Sequence, residues 1–401
     1  MSLFDLDSAD FYTNPYPVYA RLRNEDPVHW STTLGCWIVT RYEDVLAGLR
    51  DRRLSSAKMP AFTRSLSPTV QAEIGPYIEY LGFFLGLSDP PDHSRLRKLA
   101  NKAFTPSVVE AMRPQIRRIV DALIDNLAEL GEFDLIQSFA YPLPALVISA
   151  VIGLPPGDLE RFKRWSDDLV AFIGGSRADA GRAMRGRDSM NQMIAYYRPI
   201  VEERRIRPQA DLISALLAAE DDGDRLSEGE LLATCVTLLA GGHETTTNLI
   251  ANGLLALMTN PDQLTLMQSD PELIPTAIEE FLRYDAPVQR AERVALQDFS
   301  LAERSIAGGD RVLLMIGSAN RDESQFVNPD LLDVTRSPNR HLAFGFGTHF
   351  CIGSPLARLE AEIAFGALLT RLPGLRLRGS ALQWHESVGN RGMRSMPVSA
   401  N

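Results

Sequence analysis

Apolar positions recur at helical spacing over most of this chain. A short helix is expected from Val18 to Asn24, and from Ser107 to about Leu372 most segments carry the period of an amphipathic or buried helix. Punctuation such as Leu154-Pro155-Pro156-Gly157 and Asn260-Pro261 marks where helices must stop. Extended segments are few. Val28 to Thr40, with a turn near Thr32 to Gly35, predicts a small sheet, and Val288 to Leu296 and Arg311 to Ile316 read as further strands, while the stretch from about Met59 to Leu87 reads as a loop. No internal repeat, low-complexity block or long linker divides the chain. The expected fold class is therefore mainly α with small β-sheets, one domain over residues 1–401.

One helix stands out by length and by a weak centre. Ser227-Glu228-Gly229-Glu230 has capping-box spacing, and the pattern after it runs to Thr259, about 33 residues or roughly 50 Å. In its middle lies Ala240-Gly241-Gly242-His243-Glu244-Thr245-Thr246-Thr247, where each glycine costs about 1 kcal/mol relative to alanine and the threonines can bond backwards to carbonyls. Such a conflict with local preference marks either a Gly-Gly helix contact or a functional groove. His243-Glu244 is not a zinc-hydrolase motif, because His-Glu-x-x-His would need histidine at Thr247. His243 is expected on the helix surface.

Composition narrows the function. The 401 residues are 45% hydrophobic, enough for a large core, and the net charge of -10 disfavours nucleic acid and anionic membrane as partners. Met1-Ser2-Leu3-Phe4-Asp5-Leu6-Asp7 has neither a basic n-region nor an apolar run, so a cytoplasmic, unanchored protein is expected. Cys36, Cys235 and Cys351 are odd in number and far apart, which is no disulfide framework. No Cys-x-x-Cys-His and no zinc spacing occurs.

The third cysteine sits in Phe344-Gly345-Phe346-Gly347-Thr348-His349-Phe350-Cys351-Ile352-Gly353-Ser354-Pro355, ahead of a helical run from Leu356 to Leu372. Ser354 and Pro355 suit N-cap and N1. The glycines allow a tight turn close to a bulky group, and a helix N-terminus beyond Cys351 favours a thiolate. A buried structural thiol is the commonest fate of a lone cysteine. A hydrolytic Cys351–His349 pair would be poorly placed, two residues apart on a turn with no oxyanion motif.

The segment resembles the proximal haem loop of the cytochrome P450 superfamily, whose pattern Phe-x-x-Gly-x-x-x-Cys-x-Gly is met by Phe344, Gly347, Cys351 and Gly353. With each fixed residue at roughly one in twenty, four such positions across about 400 starts would match by chance a few times in a thousand. The resemblance is to the soluble bacterial members and covers nearly the whole chain from Asn14-Pro15-Tyr16 onward. It departs at Leu331-Leu332, where Arg-Phe is usual, and at Ser354, where alanine is commoner.

This likeness implies an α+β fold shaped as a triangular helical prism around haem b (iron protoporphyrin IX), with Cys351 as iron ligand pushing electron density to the metal. Gly241, Gly242, Glu244 and Thr245 fall on the family's oxygen-activation motif: the glycines make room for dioxygen, Thr245 gives a hydrogen bond there, and Glu244 links that hydroxyl to solvent as a proton relay. The chemistry needs two protons while excess water is kept away. His93, Arg97, Arg293 and His349 are implied to bind the haem propionates; His93 and Arg97 share one helix face. Glu280 and Arg283, otherwise an ordinary surface pair, become with Arg336 a buried network.

The implied activity is a haem monooxygenase that inserts one atom of O2 into a small apolar organic substrate by hydroxylation or epoxidation. No flavin or iron–sulfur segment is present, so electrons are expected from a ferredoxin or flavodoxin, docked on a basic face of Arg95, Lys98 and Lys102. Substrate would be lined by the Met59–Leu87 stretch, the helix before Gly241, the strand after Pro287 and the turn near Val388 to Met393. A haem-thiolate sensor would need the cysteine loop but not Glu244 and Thr245; a peroxide-driven peroxygenase often dispenses with both.

Overall fold

The computed structural model describes residues 6, 8–128, 130–175, 178–379 and 382–400. Helices dominate, and the small sheets fall where the alternating segments stand. The first long-enough helix runs Tyr16–Glu25, and Val28–Ser31 pairs antiparallel with Cys36–Val39 across a turn in which Gly35 takes a φ of 61°. That left-handed conformation suits a residue without Cβ. Ala291–Ala295, Arg311–Leu314 and Leu54–Ser55 extend the hairpin into a five-stranded sheet. Its register sets Arg293 opposite Val312. Residues 288–290, expected as strand, lie ahead of the ladder and are held by a bridge from Val288 to Asn390 and by Gln289 N–H donating to Gly389 O at 2.8 Å.

The Met59–Leu87 stretch corrects the sequence reading, since it is largely helical. Ser67 caps Pro68–Leu81, which buries Ile74, Tyr77 and Leu81 at helical spacing, and the short helix Met59–Phe62 precedes it. Prolines and glycines hid the period: Pro68 sits in the first turn, where its missing N–H costs nothing, but Pro76 and Gly75 read as breakers.

The long helix runs Glu228–Thr259 behind the expected capping box of Ser227 and Glu230. It passes through the largest apolar cluster and packs against Pro142–Ile152, Ile274–Tyr284 and Ser354–Arg371. Close approach is possible at Gly253, where a Cβ would come within 2.7 Å of Phe365 and 2.8 Å of Phe281. The Gly241–Thr247 segment stays α-helical: Thr245, Thr246 and Thr247 donate to the carbonyls of Gly241, Gly242 and His243 at 2.9, 3.1 and 2.9 Å. Backbone pairing is kept, so any opening there comes from missing side chains rather than a broken helix. Two further expectations are corrected. His243 is buried, its Nδ1 3.1 Å from Leu239 O, because this helix is covered on nearly every side. The helix Ser354–Arg371 begins after Gly353, so Ser354 and Pro355 take N1 and N2 instead of N-cap and N1.

Candidate active site

The cysteine loop is shaped by its own backbone. Gly345 and Gly347 take φ of 71° and 69°, Cys351 N–H donates to Phe344 O at 2.9 Å, and Phe350 N–H donates to Gly347 O at 3.1 Å. A Cβ on Gly353 would lie 3.8 Å from the sulfur. Desolvation by the surrounding loop pushes the Cys351 thiol up although the residue is exposed to the cavity, while the N–H groups of Gly353 and Ser354 and the cations Arg97 and Arg358 pull it back. The expected N–H donors are present, yet desolvation outweighs them. A soft anionic ligand in this position therefore suits a coordinated metal, whose charge deprotonates a thiol outright.

Cys351 lines a largely apolar cavity of about 370 Å³ together with Phe344, Gly241 and Thr245, and His93, Arg97, Arg293 and His349 reach the same space. Residues far apart in sequence are thus brought to one site. His93 is buried and neither ring nitrogen has a partner, while its ring lies 4.2 Å from that of His349. Burial, then the Arg97 charge, lowers His93; burial, Arg293 and His93 hold His349 at about 4. Both rings are neutral near pH 7; His349 Nε2 lies 3.0 Å from Ser56 Oγ, so the unfilled N–H is that of His93. Positive charge comes from Arg97, which donates to Phe350 O at 2.7 Å, and from buried Arg293. One orphaned imidazole and two arginines beside a cysteine sulfur fit a planar, carboxylate-bearing iron group such as haem.

The two glycines of the long helix have different surroundings. Nothing lies within 4 Å of where a Gly241 Cβ would stand, whereas a Gly242 Cβ would meet Ile148 at 3.1 Å. Gly241 opens the cavity; Gly242 admits the neighbouring helix. Thr245 lies on the cavity side, its proton given to Gly241 O. Glu244 instead lines a second, half-polar cavity of about 1160 Å³ with Lys163, Asp167 and Asn390. Its Oε1 accepts from Asn390 Nδ2 at 3.2 Å, and burial pushes the carboxyl up to about 7 against that hydrogen bond. The helix is a partition with an acid on one side and an alcohol on the other.

Beneath the cysteine loop, Glu280 and Arg283 are fully buried and joined twice at 2.8 Å. Arg336 Nε reaches Glu280 at 3.1 Å, and Asp333 N–H and Asn339 Nδ2 donate to the same carboxylate at 2.9 and 3.1 Å. Despite the Leu331-Leu332 departure, Leu331 O still accepts from Arg283 at 3.1 Å. Sequence reasoning missed neighbouring Glu279. Burial would raise it, but Arg358 at 2.6 Å and His341 at 3.1 Å hold it at about 2, and Arg358 also covers the Phe344 ring at 4.5 Å. Asn339 and Asn390 were missed too, since an isolated asparagine in a loop carries no pattern.

The expected basic docking face is corrected. Arg95 pairs with Asp224 at 3.3 Å and with Glu230, Lys98 pairs with Asp221, and Lys102 pairs with Asp221 at 2.7 Å. Three cations meet three carboxylates, so these side chains bind the Glu220–Arg225 hairpin and the cap of the long helix.

Comparison with known proteins agrees with the geometry. Residues 73–373 match the family model described as Cytochrome P450. The polyketide biosynthesis cytochrome P450 PksS of Bacillus subtilis is 39% identical over 99% of this chain and 98% of its own, and Cytochrome P450 107B1 of Saccharopolyspora erythraea is 45% identical over 95% and 93%. The crystal structure of P450BioI with a hexadec-9Z-enoic acid ligated acyl carrier protein superposes with a TM-score of 0.90 at 38% identity, covering 97% of this chain and 98% of that one. Among the described residues no helix is long and apolar enough to cross a membrane.

Proposed function

This chain belongs to the cytochrome P450 family and is a haem monooxygenase; from that premise we propose that it inserts one atom of O2 into a small apolar organic substrate, with haem b held by Cys351 and electrons drawn from a separate ferredoxin or flavodoxin in the cytoplasm, residues 1–401 acting as one domain. Bound haem supplies the activation of O2. The protein's own residues do the rest. Arg97 and Arg293 bind the propionates through charge, His93 through its unfilled N–H and His349 from beside it, and Glu280, Arg283 and Arg336 hold the loop that presents the sulfur.

The observation that carries the reading is the partition. Glu244 gathers protons from the half-polar cavity, and Thr245, one residue on and about 100° around the helix, receives them on the apolar side. Apolar walls then limit stray water. A gas-binding sensor has no use for this pair. One relative named for polyketide biosynthesis, and a structural neighbour holding an acyl carrier protein, favour an extended acyl or polyketide chain as substrate.

Turnover in isotopically labelled dioxygen, with reductase and any compound shown by spectral screening to bind, should yield product bearing one labelled oxygen. Label taken from water instead, or turnover only with peroxide, overturns the reading.

A further inference from the structure

The helix that separates the two cavities carries a polar stripe that the Glu244–Thr245 pair does not account for. Glu244, Asn248 and Asn252 stand about one turn apart on one face, and all three meet the turn at residues 387–392. Asn390 Nδ2 donates to Glu244 Oε1 at 3.2 Å, and Asn252 Nδ2 donates to Arg391 O at 3.0 Å. Between them Gly392 packs so closely on Asn248 that a Cβ there would collide with its amide.

The other edge of the turn is bonded to Pro287 and its neighbours in the wall of the apolar cavity. Gln289 N–H donates to Gly389 O and Arg391 N–H donates to Pro287 O, each at 2.8 Å. Ser387 Oγ accepts from the N–H groups of Gly389 and Asn390 at 3.1 Å each, and Arg391 Nε binds Asp285 at 2.6 Å. The backbone that carries the Asn390 amide is therefore fixed on both sides. An amide donor held on Oε1 leaves Oε2 as the oxygen that can carry a proton.

Other titratable groups around Glu244 offset one another or stay neutral. Lys163 and Asp167, on the helix Leu159–Ile173, pair at 3.0 Å; the first lowers the carboxyl and the second raises it. Tyr141 and His243 are neutral near pH 7, because burial raises the one and lowers the other. Burial likewise lowers His385, and Glu386 pairs with Arg394 at 3.7 Å. Asp179 and Arg182, at the start of the helix Ala180–Ile206, and Tyr12 line the remaining walls. Among the described residues, the side-chain hydrogen bond that lowers Glu244 comes from Asn390.

We propose that Asn390 is a positioning residue of the proton path: its amide holds Glu244 in place with the proton on Oε2, the oxygen from which it is passed on toward Thr245. The inference rests on the reading of Glu244 as a proton relay and adds the group that sets its geometry. The anion left behind is reprotonated from the half-polar cavity. Removing the amide makes the two oxygens equivalent and favours the neutral acid, because the donor stabilises the anion more than the acid.

The experiment uses the purified ferric holoprotein, checked by its carbon monoxide spectrum. Infrared difference spectra follow the carboxyl C=O stretch from about pH 5 to about pH 9, each protein having its own Glu244→Gln counterpart subtracted to isolate one band. In the unaltered protein the band should disappear with a midpoint of about 7. In Asn390→Leu the midpoint should rise by about one unit, and the band should move to higher frequency because Oε1 no longer accepts a hydrogen bond. Asn390→Asp, equal in size, should raise the midpoint further by setting a like charge beside Glu244. A midpoint that stays or falls in either variant, a band of unchanged frequency in Asn390→Leu, or no Glu244 band at any pH overturns the proposal. Should Asn390→Leu fail to fold, the midpoint in Asn390→Asp decides. A normal carbon monoxide spectrum alongside any of those failures refutes the positioning role and leaves the haem-thiolate assignment standing.

Discussion

Glu244 and Thr245 are neighbours in sequence that face different cavities, and the carboxyl is poised near neutrality because burial raises it further than Asn390 lowers it. Below about pH 7 the neutral acid predominates and can give up a proton; above it the anion cannot. Product formed per electron consumed should therefore fall as pH rises through that value, and Glu244→Gln should flatten the profile and slow product formation by about a hundredfold. A profile that stays the same in the variant would remove Glu244 from the proton path. At this scale the sequence was legible wherever a motif fixes spacing, as around Cys351, His93 and Glu280. It was opaque where a partner lies far along the chain: Arg95, Lys98 and Lys102 read as a free basic face because Asp221, Asp224 and Glu230 come more than a hundred residues later. His243 was misplaced for another reason. A helix buried on nearly every side has no polar stripe to say which residues face solvent.

Among the elements, the long helix announced its own ends through Ser227, Glu230 and Asn260-Pro261, since caps are local chemistry. Gly241 and Gly242 were legible as a pair but not one by one, and Gly253 carried no signal, because only packing distinguishes them. Gly241 borders open space, Gly242 meets Ile148, and Gly253 lies under Phe281 and Phe365. Gly253→Ala should cost about 1–3 kcal/mol through overpacking, read as a lowered midpoint in thermal or urea unfolding with the Soret spectrum unchanged. An unaltered midpoint would show that the aromatic pair yields freely. The helices within residues 59–87 escaped the sequence reading because Pro76 and Gly75 look like breakers when their tertiary support cannot be seen.

Over the whole molecule, the cysteine loop is fixed through charges drawn from three distant stretches. Glu280 binds Arg283 on its own helix and Arg336 and Asn339 beyond it, and Glu279 ties Arg358 and His341 to the loop's flank. Removing Glu280 strands two arginines, one of them fully buried, at a cost of about 3–5 kcal/mol, a large share of a typical protein's stability. Glu280→Ala should accordingly accumulate without haem; a normal yield of holoprotein would contradict that role. The small sheets, the long helix and the helix behind Cys351 all serve to bring one sulfur, two histidines, two arginines and one partition helix around a single cavity. The absorbance of the purified, reduced protein under carbon monoxide tests that arrangement most directly. A Soret band at the red-shifted position for which the family is named, lost in Cys351→His, is the predicted result; a band at the position of an imidazole-ligated haem in the unaltered protein, or one indifferent to the substitution, would contradict it.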